Sequence, residues 1–156
     1  MKEKITFPLI LLFVLCLIMG CGDDEKQSDA SDAIVGHWRT TTVSSTRVNT
    51  FTGAVVEYDN EHITIDVKMY QDGTCNMNNT LGTYKVLGKE LDIYLPNPDK
   101  LNTVELVHYT IEEISATRMV LTSNESASIR EKGVLTHWDI TYKYHFEKVG
   151  QIYEGK

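Results

Sequence analysis

The sequence contains few cysteines and few prolines, three of each in 156 residues. Two of the cysteines lie within the first 21 residues, so Cys75 is the only cysteine in the rest of the chain. A domain built from that part of the chain has no internal disulfide, and its hydrophobic core must hold it together. We interpret Cys75, which lies within a strand pattern, as a small buried apolar residue rather than a reactive thiol.

The chain also lacks any stretch in which lysine and arginine concentrate. Its formal net charge is −7, and removing residues 1–20 takes away two lysines and one glutamate, which leaves −8. Binding to nucleic acid requires a basic footprint that neutralises phosphates. We therefore predict no nucleic-acid partner, and the acidic balance favours solubility outside the cell.

The common local signatures of catalysis and metal binding are missing as well. The sequence has no Gly-x-Ser-x-Gly, Gly-rich phosphate loop, His-Glu-x-x-His or Cys-x-x-Cys. The nearest candidates are two pairs on one strand face, His137 with Asp139 and His145 with Glu147. At about 3.3 Å per residue the two histidines are roughly 26 Å apart and cannot share one metal. We predict no enzymatic activity, no metal and no cofactor.

What the chain does have is an apolar start, MKEKITFPLILLFVLCLIMGC. Two lysines precede an apolar run over residues 5–19, which is shorter than the roughly 18 residues or more of a membrane-spanning helix and typical of a secretory signal. The run ends Leu17-Ile18-Met19-Gly20-Cys21, which resembles the lipobox of bacterial lipoproteins, except that Met19 replaces the usual small residue. The alternatives to a lipobox are an ordinary signal peptide with a chance cysteine and an uncleaved anchor helix.

The lipobox resemblance implies that residues 1–20 are a cleaved signal peptide and that Cys21 carries a diacylglycerol anchor, often with a further acyl chain such as palmitate, which makes membrane attachment durable. The acidic run after it, Asp23, Asp24 and Glu25, resembles the export tag of some Gram-negative lipoproteins. That tag implies an outer-membrane protein facing the cell exterior, with a periplasm-facing anchor as the alternative. Residues 21–33 lack large apolar side chains and are predicted to form a flexible acidic tether.

Residues 34–149 are enough for one domain, and strict alternation dominates them. Ile63, Ile65, Val67 and Met69 share one predicted strand face, and the longest alternation runs over residues 134–149. Tight turns are predicted at Thr52-Gly53, Asp72-Gly73 and Gly88-Lys89. Exposed segments that could carry recognition are predicted at 46–60, 96–102 and 124–133, and residues 150–156 form a C-terminal tail. The pattern predicts an all-β fold of eight or nine antiparallel strands, as a small barrel or sandwich.

Several short motifs resemble the lipocalin-like domains of secreted bacterial lipoproteins. The first is Ile34-Val35-Gly36-His37-Trp38, and others follow in order, including Asp72-Gly73-Thr74, Gly82-Thr83-Tyr84-Lys85-Val86, Tyr109-Thr110-Ile111 and Tyr142-Lys143-Tyr144-His145-Phe146. The resemblance implies a small antiparallel up-and-down barrel in which Trp38 plugs one end. In the wider superfamily the barrel mouth can accept a small apolar ligand.

The candidate barrel-lining residues are aromatic: Trp38, Tyr84, Tyr109, Trp138, Tyr142 and Tyr144. They could line a cavity, with hydroxyl groups orienting the polar end of a guest, or they could fill the core, because an eight-stranded barrel is only just wide enough for either. Two functions therefore remain open. One is binding of a small hydrophobic or amphipathic ligand in the barrel, and the other is a filled, non-enzymatic surface module that meets a protein or a glycan.

Overall fold

The computed structural model describes residues 27–100, 102–131 and 133–150. These residues form one helix and nine strands. The elements are α1 (Gln27–Ile34), β1 (Gly36–Asn49), β2 (Val55–Tyr58), β3 (Asp66–Met69), β4 (Thr74–Met77), β5 (Thr80–Leu87), β6 (Glu90–Pro96), β7 (Val104–Ile114), β8 (Arg118–Glu131) and β9 (Val134–Gly150). The predicted signal peptide, Cys21 and the acidic residues 23–25 lie outside the described residues.

Eight of the strands close into a barrel. Strands β3 to β9 are neighbours in the sheet in the order of the sequence, and each pair is antiparallel. Strand β1 pairs with β3 on one side and with β9 on the other, which closes the ring. β2 is an extra strand that pairs with β1. The predicted all-β, up-and-down antiparallel barrel of eight or nine strands is confirmed, and it is consistent with a lipocalin-like barrel.

Alternate strand positions supply the core. Leu91 and Ile93 of β6 and Met119 and Leu121 of β8 point inward, as expected for strands with one buried face. Cys75 is buried among them, as predicted, and burial raises the pKa of its thiol. Altogether sixteen buried side chains form one cluster, so much of the barrel interior is occupied by the chain itself.

Helix α1 and Trp38 cover one end of the barrel, which we call the closed end. Ile34 and Trp38 are fully buried, and the indole Nε1 of Trp38 donates a hydrogen bond to the carbonyl oxygen of Ile34 at 2.7 Å. α1 lies against β5 and β7. Residues 27–33, predicted to be flexible tether, are helical instead, because burial of Ile34 docks this segment on the barrel end.

The predicted strand around Ile63 is shorter than its alternation suggests. β3 begins only at Asp66, and Ile63 is 37% exposed. Before β3 the chain makes isolated bonds instead of a ladder: the Glu61 amide donates to the Val43 carbonyl of β1 at 2.7 Å, and the Ile63 amide donates to the Glu61 carbonyl at 2.8 Å. This irregular segment turns Ile63 out of the core and brings the Glu61 side chain toward β1.

Four strands extend beyond the barrel. The β7–β8 pairing ends at Thr110 and Thr122, whereas β8 and β9 stay paired out to Glu131 and Val134. Residues 124–131 are thus strand, not the predicted loop, because the long β9 supplies a complete hydrogen-bonded ladder that their own polar sequence does not reveal. We call this four-stranded extension the flap: it consists of residues 45–49 of β1, β2, residues 123–131 of β8 and residues 134–142 of β9.

Candidate binding site at the barrel mouth

The end of the barrel opposite α1, where the flap begins, is its mouth. Cross-strand register shows which residues face inward there, because directly opposite residues project from the same face of a sheet. Val43, Tyr144 and Leu121 are opposite one another and are all buried in the core. Two positions further toward the flap, Ser45 lies opposite Tyr142, which lies opposite Ser123. The next inward row is formed by Arg47, Ile140 and Glu125.

Arg47 is the centre of a polar cluster in this mouth. Its Nη2 donates to Oε1 of Glu61 at 2.7 Å, and the Ser45 hydroxyl donates to the same oxygen at 2.8 Å. The guanidinium carbon lies 4.2 Å from the centroid of the Tyr58 ring, a cation–π contact. Arg47 Nε is buried and has no hydrogen-bond partner among the described residues. One N–H of the guanidinium is thus left without an acceptor.

The Arg47–Glu61 pair is ionised on both sides. The hydrogen bonds from Ser45 and from Arg47 lower the pKa of the Glu61 carboxyl group. Burial opposes ionisation of Arg47, but the hydrogen bond and the negative charge of Glu61 outweigh it, so the pKa of the guanidinium is raised. The two side chains are only 23% and 22% exposed. The pair therefore places two compensating charges in a half-buried position at the mouth.

Tyrosine rings form the wall beneath this cluster. Tyr144 packs edge-on against Tyr109, with ring centroids 5.5 Å apart, and Tyr142 lies 6.0 Å from Tyr144. The Ser123 and Tyr144 hydroxyls are 3.3 Å apart. Burial, followed by the nearby Glu125 carboxylate, raises the pKa of Tyr142. Burial likewise raises the pKa of Tyr109. The phenols remain neutral, so the wall combines apolar rings with uncharged hydroxyl groups.

The six predicted lining residues do not form one cluster. Tyr109, Tyr142 and Tyr144 meet at the mouth, whereas Trp38 lies at the closed end. Tyr84 is also near the closed end, where its hydroxyl donates to the carbonyl oxygen of Tyr70 at 2.7 Å. Trp138 lies outside the core cluster, on the flap. It is half-buried, and its Nε1 donates to the Thr136 hydroxyl at 2.9 Å.

The charged residues of the site, Arg47 and Glu61, are not among the residues predicted from the sequence. Arg47 falls within the predicted exposed segment 46–60, although the inward positions of β1 continue from Val43 through Ser45 to Arg47. Extending that alternation by one step would have identified Arg47 as an inward-facing charge. Glu61 carries no comparable signal, because it reaches the mouth from an irregular segment.

Of the two predicted histidine–carboxylate pairs of β9, the pair His137 and Asp139 contacts neighbouring serine side chains. Nδ1 of His137 lies 2.7 Å from the Ser128 hydroxyl, and Asp139 accepts a hydrogen bond from Ser126 at 2.8 Å. A depression of about 370 Å³ lies beside them, lined by residues 124–126 and 139–141. No three histidine, cysteine, aspartate or glutamate side chains in the described part of the chain are grouped so that they could hold a metal ion.

No protein-family model matches this chain, and neither a curated protein nor a solved structure matches it. Among residues 27–100, 102–131 and 133–150, no helix has the length and apolar character needed to cross a membrane.

Proposed function

We propose that this protein is a lipid-anchored outer-membrane lipoprotein with a lipocalin-like barrel that binds a small amphipathic molecule at its mouth. One observation carries the binding proposal. Arg47, Ser45 and Tyr142 share the inward face at the mouth. They lie directly above the tyrosine wall, where Tyr109 packs against Tyr144. A few convergent polar groups on an apolar concave wall are typical of small-molecule sites. The site is shallow, because the core cluster occupies the barrel below it.

The direction of the chain supports the anchored arrangement. α1 leads into β1 at the closed end, where Ile34 and Trp38 are buried. A tether running from Cys21 to α1 therefore approaches the closed end, opposite the mouth. The mouth would then be directed away from the membrane and open to molecules arriving from outside.

Ligand uptake is tested by displacement of Nile red, an uncharged fluorescent probe, from the chain that lacks residues 1–20 and carries Cys21→Ser. We expect saturable uptake and displacement by alkyl amphiphiles. Tyr142→Ala should weaken binding about tenfold, which corresponds to about 1.4 kcal/mol, because aromatic residues are enriched among the contacts that contribute most to binding. Tyr94→Ala, which removes a ring on the outer face of β6, is the matched control and should leave binding unchanged. Absence of saturable uptake would reject the binding proposal.

Anchoring is tested by fractionation of cells that produce the full chain. Cys21→Ser should move the protein from the membrane fraction to the soluble fraction, because the acyl chains are lost. Cys16→Ser, which changes the other N-terminal cysteine, should leave it in the membrane. Replacing Asp23, Asp24 and Glu25 with Ala should reduce its digestion by protease added to intact cells. Membrane-bound Cys21→Ser protein would contradict lipidation.

A second function, a surface interaction module, is favoured by one observation on the outer face. Leu81 of β5 and Val104 and Leu106 of β7 are 70%, 64% and 54% exposed near the mouth end of the barrel. An exposed apolar patch can mark a protein–protein interface. This alternative predicts that Leu81→Ser with Leu106→Ser abolishes binding to a surface protein or glycan while Nile red uptake is unchanged.

A further inference from the structure

The unpaired N–H of Arg47 indicates what kind of polar group the mouth accepts. Building on the proposed binding function, we propose that the polar end of the ligand is uncharged and carries an oxygen acceptor, as in an alcohol, ester or amide. That oxygen accepts a hydrogen bond from Nε of Arg47, while the alkyl part lies against the tyrosine wall. Ser45 and Glu61 keep the guanidinium in place from the other side.

The need for an acceptor follows from the burial of Nε. A buried donor without a partner is unfavourable, because it has given up its hydrogen bond to water and gained none in return. Among the described side chains, Arg47 Nε is the buried donor that has no hydrogen-bond partner. The rest of the guanidinium already contacts Glu61 and Tyr58. Because Nε is covered in the described structure, a ligand oxygen reaches it only when the side chains over it shift, and it would then recover this cost.

The charges at the mouth argue against an anionic ligand. The positive charge of Arg47 is compensated by Glu61. Glu125 lies opposite Ile140, in the same inward row as Arg47. Glu105 lies opposite Leu95, whose side chain packs against the core, so Glu105 shares the inward face of β7. A carboxylate or phosphate would enter a site whose compensated cation is accompanied by two further carboxylates.

A cationic head group fits no better. An alkylammonium would be attracted by Glu125, but it has only hydrogen-bond donors. It would leave Arg47 Nε unsatisfied and bring a second positive charge close to the guanidinium. An uncharged oxygen avoids both conflicts.

The proposal is tested with three ligands that share one alkyl chain: decanol, decanoate and decylamine. Each is titrated against Nile red bound to the Cys21→Ser chain. We expect decanol to bind at least tenfold more tightly than decylamine, whose ammonium group cannot accept the hydrogen bond from Nε. We expect the same margin over decanoate, whose negative charge would meet Glu125 and Glu105. Because this comparison uses no variant of the mouth, it does not depend on whether a substitution folds.

A charge-conserving substitution provides the second measurement. Arg47→Lys keeps a cation beside Glu61 but removes the Nε–H, so decanol affinity should fall about tenfold while the weak decanoate and decylamine affinities change little. Arg39→Lys is the matched control, because Arg39 forms the corresponding pair with Asp66 away from the mouth, and it should change none of the three.

The outcomes separate the two proposals. Decanoate or decylamine binding as tightly as decanol, or an Arg47→Lys variant that is folded and keeps its decanol affinity, would overturn the head-group proposal and leave the binding function standing. Failure of all three ligands and of Nile red to bind would overturn both.

Discussion

Replacing Trp38 with Ala should lower the free energy of unfolding by about 3–5 kcal/mol. Trp38 is fully buried at the closed end, where its indole both fills the barrel and donates a hydrogen bond to the carbonyl oxygen of Ile34. The substitution leaves a large cavity, removes that bond and loosens the docking of α1. The measurement is equilibrium denaturant unfolding of the soluble Cys21→Ser chain with and without the change.

Trp138 offers a matched control, because it is the other tryptophan of the chain. It lies on the flap, half-buried and outside the core cluster. Trp138→Ala should therefore lower the free energy of unfolding by only about 1 kcal/mol. Equal losses for the two variants would show that the closed end does not depend on Trp38 as the structure indicates.

Replacing Gly82 with Ala should destabilise the barrel by about 1–3 kcal/mol. Gly82 lies in β5, where a Cβ atom would overlap the carbonyl oxygen of Tyr94 and come within 2.8 Å of Cδ2 of Leu95. The backbone of β6 cannot move away without disturbing its ladders with both β5 and β7. The same unfolding measurement should show a lower transition midpoint with an unchanged dependence on denaturant.

The control for this substitution is Gly150→Ala. A Cβ atom at Gly150 would meet no heavy atom of the described residues within 4 Å, and this glycine has no positive φ. Its stability should stay within about 0.5 kcal/mol of that of the parent chain. If Gly82→Ala were equally harmless, the close approach of β5 and β6 at this point would be refuted.

The barrel could be predicted from the sequence because its strands carry their own signals. Leu91 and Ile93 alternate with polar residues, and Asp72-Gly73 marks a hairpin in which Gly73 has a φ of 82° and Asp72 accepts hydrogen bonds from Thr74. These features are local, so one sequence is enough to read them. The order of strands then follows from short connections between antiparallel neighbours.

The flap and the polar half of the site depend on contacts between distant segments. Residues 124–131 look like a polar loop because their strand state comes from pairing with β9. Glu61 meets Ser45 and Arg47 from an irregular segment 14 to 16 residues further along the chain, which no local pattern marks. Trp138 is an error of the opposite kind, because its alternation with polar residues predicts a core position. The barrel ends before Trp138, and on the flap this side chain lies outside the core cluster.

The β7–β8 pairing ends at Thr110 and Thr122, and this boundary separates two regions whose amide protons should exchange by different routes. In the described structure, strands β4 to β6 have neighbours on both sides, so their amide protons should exchange with solvent only when the whole barrel unfolds. Residues 124–131 pair with β9 alone, and their amides should exchange through local fraying. The flap, which borders the proposed binding site, is thus expected to open locally while strands β4 to β6 stay folded.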